Sequence, residues 1–287
     1  MKGHVRTISL VFSLLAGALT RGQHTPLTSQ YLFNGLLINP AYAGSRDAFT
    51  ANLTWRQQWV GFDGAPSTQV MSIHSPINRT RTAVGLLVLN DRIGVSRETG
   101  VLSNYAYRIP LRRGKLQLGF GAGLSVLQAD WTRVALQDRS DLQFASDSRG
   151  IVKPNFSAGA YFYKKDYFLG ASVPFVMSHR FDPSADQWTV FSDRAQFQPM
   201  ITGGYLWKLN RHMKLKPSTL VRYQLASGVQ TDVNANLIIN DKIWTGISYR
   251  SNDSMGGSFE VLPTPQWRLG YAYDLGLSRL TPYHRGT

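Results

Sequence analysis

Residues 115–126 read KLQLGFGAGLSV, and the fold turns on how this stretch is understood. Leu116, Leu118, Phe120, Ala122, Leu124 and Val126 fall on every second position. Lys115, Gln117, Gly119, Gly121, Gly123 and Ser125 fill the places between. A period of two is the spacing of a β-strand, whose successive side chains point to opposite faces. One face here is apolar and the other is polar or bare. The three glycines resemble a nucleotide-binding loop only in outline. They lie inside the strand and open no helix, so they form a small-residue stripe.

The same alternation recurs along the chain. Phe49, Ala51, Leu53 and Trp55 alternate with Thr50, Asn52, Thr54 and Arg56. Val101, Ser103, Tyr105 and Tyr107 alternate with Leu102, Asn104, Ala106 and Arg108. Trp267, Leu269, Tyr271 and Tyr273 alternate with Gln266, Arg268, Gly270 and Asp274. About 13 such segments can be counted. They begin near residues 48, 68, 82, 98, 115, 154, 167, 196, 214, 230, 242, 254 and 266. No amphipathic helix interrupts them. Residues 31–39 could make a short helical turn, which Asn39-Pro40 would end.

Composition agrees. Glu98 and Glu260 are the only glutamates, while Phe (14), Tyr (13) and Trp (7) are plentiful, which favours strands over helices. There is no cysteine, so disulfides and thiolate metal sites are excluded. The chain opens with a basic stretch (Lys2, His4, Arg6), an apolar run from Ile8 to Leu19, and small residues Thr20 and Gly22 before Gln23. That is the pattern of a signal peptide over residues 1–22. Nothing later offers the 18 or so apolar residues of a membrane-spanning helix. The formal charge of +14 favours anionic partners: lipid, nucleic acid or an acidic protein.

Loop lengths add the membrane. Links after even-numbered strands are tight, near Arg113-Gly114, Lys164–Asp166, Asn210–Met213, Asn240-Asp241 and Pro263–Pro265. Both long links, roughly 130–153 and 175–195, follow odd-numbered strands. Long loops at one end and tight turns at the other mark an up-and-down outer-membrane barrel, whose closure leaves no backbone group unpaired in lipid. A soluble sandwich would also show half-apolar strands, with the apolar face inward. The expectation is therefore an all-β, up-and-down antiparallel transmembrane barrel over residues 48–287, preceded by an N-terminal segment, 23–47, that is periplasmic or a plug. The tight-turn end is basic: Arg79, Arg81, Arg112, Arg113, Lys164, Lys165, Arg211 and Lys214 gather there, as solvated turns or as a docking surface for an acidic partner.

Catalytic and metal-binding sets are not evident. The histidines at 4, 24, 74, 179, 212 and 284 have no ligand spacing. His74 is expected to be packed or to face the lumen. Asp138, Asp141 and Asp147 in the first long loop lack an EF-hand pattern. No nucleic-acid module is present. Neither an enzyme, nor a cofactor, nor a metal is expected.

Another stretch, Gln58–Pro66 (QWVGFDGAP), pairs turn residues with two large aromatics. It follows the first strand, at the outer end. Trp59 and Phe62 are expected to fold over the mouth or into the lumen, Asp63 to bond nearby backbone or an arginine such as Arg56, and Pro66 to stiffen the turn. They are candidates for a gate or a cargo-docking rim, against the alternative of an internally packed loop. Asn39, Pro40 and Tyr42 are the corresponding candidates in the N-terminal segment.

Three blocks taken together resemble a known family. Gln30-Tyr31-Leu32-Phe33-Asn34, then Ile38–Gly44 (INPAYAG), then Gln58–Pro66 with Thr68-Gln69 and His74-Ser75-Pro76, are similar to the PorP/SprF family of the type IX secretion system. Leu269–Asp274 (LGYAYD) and Leu277–Leu280 (LSRL) resemble its closing region. The resemblance implies a non-enzymatic outer-membrane barrel of about 14 strands. It implies partners too: outer-membrane lipid, cargo with a C-terminal sorting domain such as gliding adhesins, and periplasmic secretion or gliding components. Family members continue past the region matching Tyr283–Thr287 into one more strand. About 13 strands are read here, one fewer than the resemblance implies, so the expectation is that a last strand is missing. Truncation, the N-terminal segment or a partner strand could account for the gap. A passive porin or solute channel is the alternative function.

Overall fold

A computed structural model describes residues 31, 34–133, 147–174, 178–182, 187–191, 197–225, 228–251, 253–277 and 286. The signal-peptide reading of 1–22 lies outside them. The strands are β1 (Thr50–Gln57), β2 (Ser67–Pro76), β3 (Thr82–Ile93), β4 (Ser96–Leu111), β5 (Gly114–Ala129), β6 (Ser148–Tyr163), β7 (Tyr167–Val173), β8 (Ser178–Asp182), β9 (Gln187–Phe191), β10 (Met200–Tyr205), β11 (Trp207–Lys208), β12 (Met213–Gln224), β13 (Gly228–Ile239), β14 (Ile243–Arg250), β15 (Ser254–Val261) and β16 (Leu269–Gly276).

Fourteen of them form one sheet in which every pair is antiparallel and neighbours follow the order of the chain: β1 to β7, then β10, then β12 to β16. β11 also pairs with β12 and continues β10 after a break at Leu206, whose N–H donates to Asp166 O at 2.7 Å. β10 and β11 are thus one crossing, and the meander makes thirteen passes.

The distribution of side chains is inverted relative to a water-soluble protein. On β14, Ile247 is 72% exposed while Arg250 is 5% exposed. On β13, Val229 and Val233 point outward, and Asp232, Asn234 and Asn236 are buried. On β5, Leu118, Phe120 and Leu124 are exposed, and Gln117 and Ser125 are buried. Water would reverse this arrangement, because apolar area left exposed forfeits its burial energy. Lipid against the apolar stripe accounts for it. A sandwich with its apolar face inward does not.

The sheet curls. A single short segment, residues 31–47, touches β2, β4 to β7, β12 and β13 from the polar side, which a flat sheet of this width could not permit. The two ends of the sheet lie side by side: Arg56 of β1 reaches Asp274 of β16 at 3.6 Å, and Val60 N–H donates to Gly286 O at 3.0 Å. Among the described residues β1 and β16 are not hydrogen-bonded, so the barrel carries a seam there.

The structure differs most from the sequence reading in two places. β6 starts at Ser148 rather than near residue 154, because Ser148 still finds a partner in Ala129 beyond an irregularity in the β5–β6 register. The second long link is not structureless: β8 and β9 pair as a separate hairpin within it.

Candidate functional site

The N-terminal segment fills the lumen, and its local sequence explains how. Two single turns of 3-10 helix, Gly35–Leu37 and Pro40–Tyr42, are joined at Asn39. Proline at the first position of the second turn starts it rather than only ending the first, since a missing N–H costs nothing there. The Asn39 side chain serves both ends: Oδ1 accepts from Ala41 N–H at 2.9 Å, and Nδ2 donates to Ala160 O of β6 at 3.0 Å. A capping contact of this kind stabilises by about 1 kcal/mol.

The wall is shaped to receive this backbone. Gln117 Nε2 donates to Ala43 O at 3.0 Å, Ser172 Oγ donates to Ile38 O, and Gly44 N–H donates to His74 Nδ1 at 3.1 Å. His74 therefore faces the lumen as an acceptor through Nδ1. A Cβ at Gly119 would run into the backbone of Pro40 and Ala41, and one at Gly159 into the Asn39 side chain. The small-residue stripe of β5 is thus the seat of the segment. Gly44 takes φ +68°, a conformation L side chains resist. Apolar side chains complete the seat: Leu37 packs with Val70, Leu87, Leu89 and Leu102, and Leu36 with Ala83 and Ala106. Tyr42 meets His74 and Tyr161 edge-on, with ring centres 5.5 and 5.4 Å apart.

Electrostatics hold both ends. Tyr31 is 2% exposed, and its hydroxyl accepts from Asn234 Nδ2 at 3.0 Å. Burial, with the nearby Asp232 carboxylate, pushes that hydroxyl well above its ordinary range. At the other end Asp47 pairs with Arg108 at 2.6 Å and Lys115 at 2.8 Å. Partial burial acts to raise the Asp47 carboxyl, but the Lys115 hydrogen bond and the charges of Arg108 and Lys115 outweigh it, and the net shift is downward. A cavity of about 60 Å³ remains between segment and wall, lined by Tyr31, Asn39, Tyr42, Tyr161, Phe168 and Lys216. That is room for about two water molecules.

Nearer the outer end the lumen carries an ion network. Asp232 takes Arg222 Nη2 at 3.1 Å and Arg250 Nε at 3.0 Å, and Arg250 Nη1 also reaches Asp253 at 3.2 Å. Each of the first three side chains is almost fully buried, so the pairing is needed to keep the charges inside.

The outer turn behaves differently from its expectation. Gln58 N–H donates to Pro66 O at 2.9 Å and Gly94 N–H to Gly64 O at 2.9 Å, which ties the turn to the next outer loop. Pro66 is buried beneath it. Phe62 is 55% and Trp59 37% exposed, so Phe62 does not fold into the lumen. Asp63 is exposed, and Arg56 pairs with Asp274 rather than with Asp63. The reason is geometric: Arg56 points inward across the seam, while Asp63 sits on the turn above. Trp59 adopts φ 46°, an uncommon conformation for a bulky residue that costs about 1–3 kcal/mol.

The structure separates the candidates into two groups. Asn39, Pro40 and Tyr42 come together in the lumen; Trp59, Phe62, Asp63 and Pro66 stand at the outer rim. Gln117, Arg108, Ser172 and Gly119, which the sequence did not single out as candidates, hold the lumen segment together with His74, which the sequence placed as packed or facing the lumen. At Gln117 and Gly119 the signal was an amide-bearing or bare position inside an otherwise regular strand. Among the described residues no group of His, Asp and Glu could hold a metal. Asp147 Oδ1 accepts from the Thr132 amide and hydroxyl; Asp138 and Asp141 lie outside the described residues.

An antiparallel meander with apolar outer stripes and a polar, occupied interior is an outer-membrane type of barrel. The chain belongs to the type IX secretion system membrane protein family PorP/SprF, whose family model matches residues 20–287. Its place is the outer membrane. No curated protein matches it. Among solved structures, mutant forms of the porin of Rhodopseudomonas blastica are similar. One triple mutant has TM-score 0.33 and 10% identity over 79% of this chain and 95% of that one. Another has TM-score 0.34 and 10% identity over 80% of this chain and 96% of that one. Likeness at that level carries no argument beyond itself.

Proposed function

We propose that this protein is a non-enzymatic adaptor of the type IX secretion outer membrane, assisting export or surface attachment of cargo that bears a C-terminal sorting domain, such as gliding adhesins. What supports this reading most is the occupied lumen. A barrel whose interior is filled by residues 34–47, hydrogen-bonded to the wall through Asn39, Gln117, His74 and Ser172, suits an anchor better than a conduit. In this reading Trp59 and Phe62 are the cargo-facing aromatics, since such side chains bury much area at low entropic cost. Asp63 supplies a polar contact and Pro66 stiffens the turn below. Asn39, Pro40 and Tyr42 keep the lumen shut.

The test combines two measurements. Purification from outer membranes in mild detergent should bring down sorting-domain cargo and periplasmic secretion components with the barrel. The same preparation in planar bilayers should pass little current. Steady large conductance without co-purifying chains would favour a passive solute channel instead.

A further inference from the structure

The two ends of the barrel differ in charge. At the tight-turn end, five of the six turns expose cations: Arg79 and Arg81 between β2 and β3, Arg112 and Arg113 between β4 and β5, Lys164 and Lys165 between β6 and β7, Lys208 and Arg211 where β11 turns into β12, and Lys242 between β13 and β14. None of these pairs with a carboxylate among the described residues. The exposed carboxylates at this end, Asp47 and Asp241, are paired with other cations, Arg108, Lys115 and Lys214, whereas the other end exposes Asp63 and Asp147 as well as Arg92 and Arg97.

A second feature accompanies the cations. Each basic turn has an exposed apolar side chain on the outward face of the adjoining strand or turn. Leu111 stands beside Arg112, Tyr167 beside the Lys164-Lys165 pair, Trp207 beside Lys208, Ile77 near Arg79, and Ile243 beside Lys242. Lys164 shows the direction in which the charge leans: its Nζ lies 5.9 Å from the centre of the outward Tyr167 ring, toward the lipid side and not over the mouth. Long basic side chains lay their stems on apolar surface and hold the charge at the headgroup level, where aromatic girdles also sit.

We propose that this rim is a collar for the phosphate headgroups of anionic phospholipids in the inner leaflet. Two observations favour lipid over an acidic protein. The cations follow successive turns around the rim, as an annulus of lipid does. The apolar companions face outward, where a protein covering the mouth would not meet them. Basic clusters next to apolar anchors at a membrane surface recognise anionic lipid in this way.

The experiment uses the full mature chain in vesicles of zwitterionic phospholipid alone and with about 30 mole per cent phosphatidylglycerol added. The readout is the urea midpoint of unfolding. The expected result is a higher midpoint with the anionic lipid, a gain cut at least by half in about 0.5 M salt, where screening is short-ranged. The variant R112Q/R113Q/K164Q/K165Q should keep its midpoint in the zwitterionic vesicles and lose about half of the anionic gain. Equal midpoints in the two lipids overturn the proposal. So does an equal gain from free inorganic phosphate, which would mark simple anion binding. Tight binding of polyglutamate together with indifference to lipid would also overturn it, assigning the rim to an acidic protein.

Discussion

Replacing Gly119 by alanine isolates the seat of the lumen segment. The substitution adds one carbon, and the nearest heavy atoms to it are the backbone of Ala41 and Pro40, which cannot rotate aside as a side chain would. Overpacking of this kind costs about 1–3 kcal/mol. The cost falls on the docked state alone, since a segment lifted off the wall does not meet the new Cβ. The population of the lifted state should therefore rise about 5- to 150-fold, at tenfold per 1.4 kcal/mol. The assay is amide exchange at Asn39, Tyr42 and Ala43, whose N–H groups donate to Gly35 O, Asn39 O and Pro40 O. Gly203→Ala is the control, because its nearest neighbour, Leu169 Cδ1, is at an ordinary 3.6 Å. Exchange should accelerate by the stated factor in the Gly119 variant and stay unchanged in the control. Equal rates in wild type and Gly119→Ala would refute the packing argument.

Three further outcomes follow from the ion pairs and the rim. Because the Asp47 carboxyl is held below its unfolded value of about 3.9, its clamp on Arg108 and Lys115 is complete at neutral pH and is lost as pH falls through the folded value. Exchange of the Asp47 amide, corrected for intrinsic rate, should be constant from about pH 8 to 5 and accelerate near pH 3; acceleration already at about pH 6 would contradict the assignment. Asp232→Asn should cost about 3 kcal/mol in a urea titration in detergent micelles by leaving Arg222 and Arg250 buried without that counter-charge, whereas Arg222→Met with Asp232→Leu, which leaves only Arg250, still paired with Asp253, should cost less; a double variant weaker than the single would sink that reading. Trp59→Ala with Phe62→Ala should leave barrel assembly intact and reduce surface display of cargo, scored by labelling of whole cells; normal display would return the turn to a merely structural part.

The thirteen crossings are legible in the sequence because each strand meets two different solvents. Lipid selects the apolar stripe, the interior selects the other, and alternation of period two survives, as at Lys115–Val126. It weakens where both faces are apolar. On β3, Val84 and Leu86 face lipid while Leu87 and Leu89 pack on Leu37 of the lumen segment, so the stretch reads as nearly continuous. The seat of that segment is less legible. In the sequence Gly119 is one of three equivalent glycines, and only the fold shows that the backbone of Ala41 lies against it. The sequence offers Arg56 the nearby Asp63, whereas its carboxylate comes from Asp274 at the far end of the chain. Sequence neighbours are visible to a reader of sequence; partners brought together by closure of a sheet are not.

Since the chain has no cysteine, single nitroxide labels can be placed one at a time, at Phe120 and Ile247 on the outward stripe and at Ser125 and Ser218 on the inward one. In vesicles, collision with dissolved oxygen reports lipid and collision with a water-soluble nickel chelate reports water. Phe120 and Ile247 labels should be relaxed by oxygen and shielded from nickel, and the two serine sites should lack the oxygen signature. A chain that stays dispersed in plain buffer, with nickel reaching Phe120 and Ile247 freely, would contradict the barrel outright.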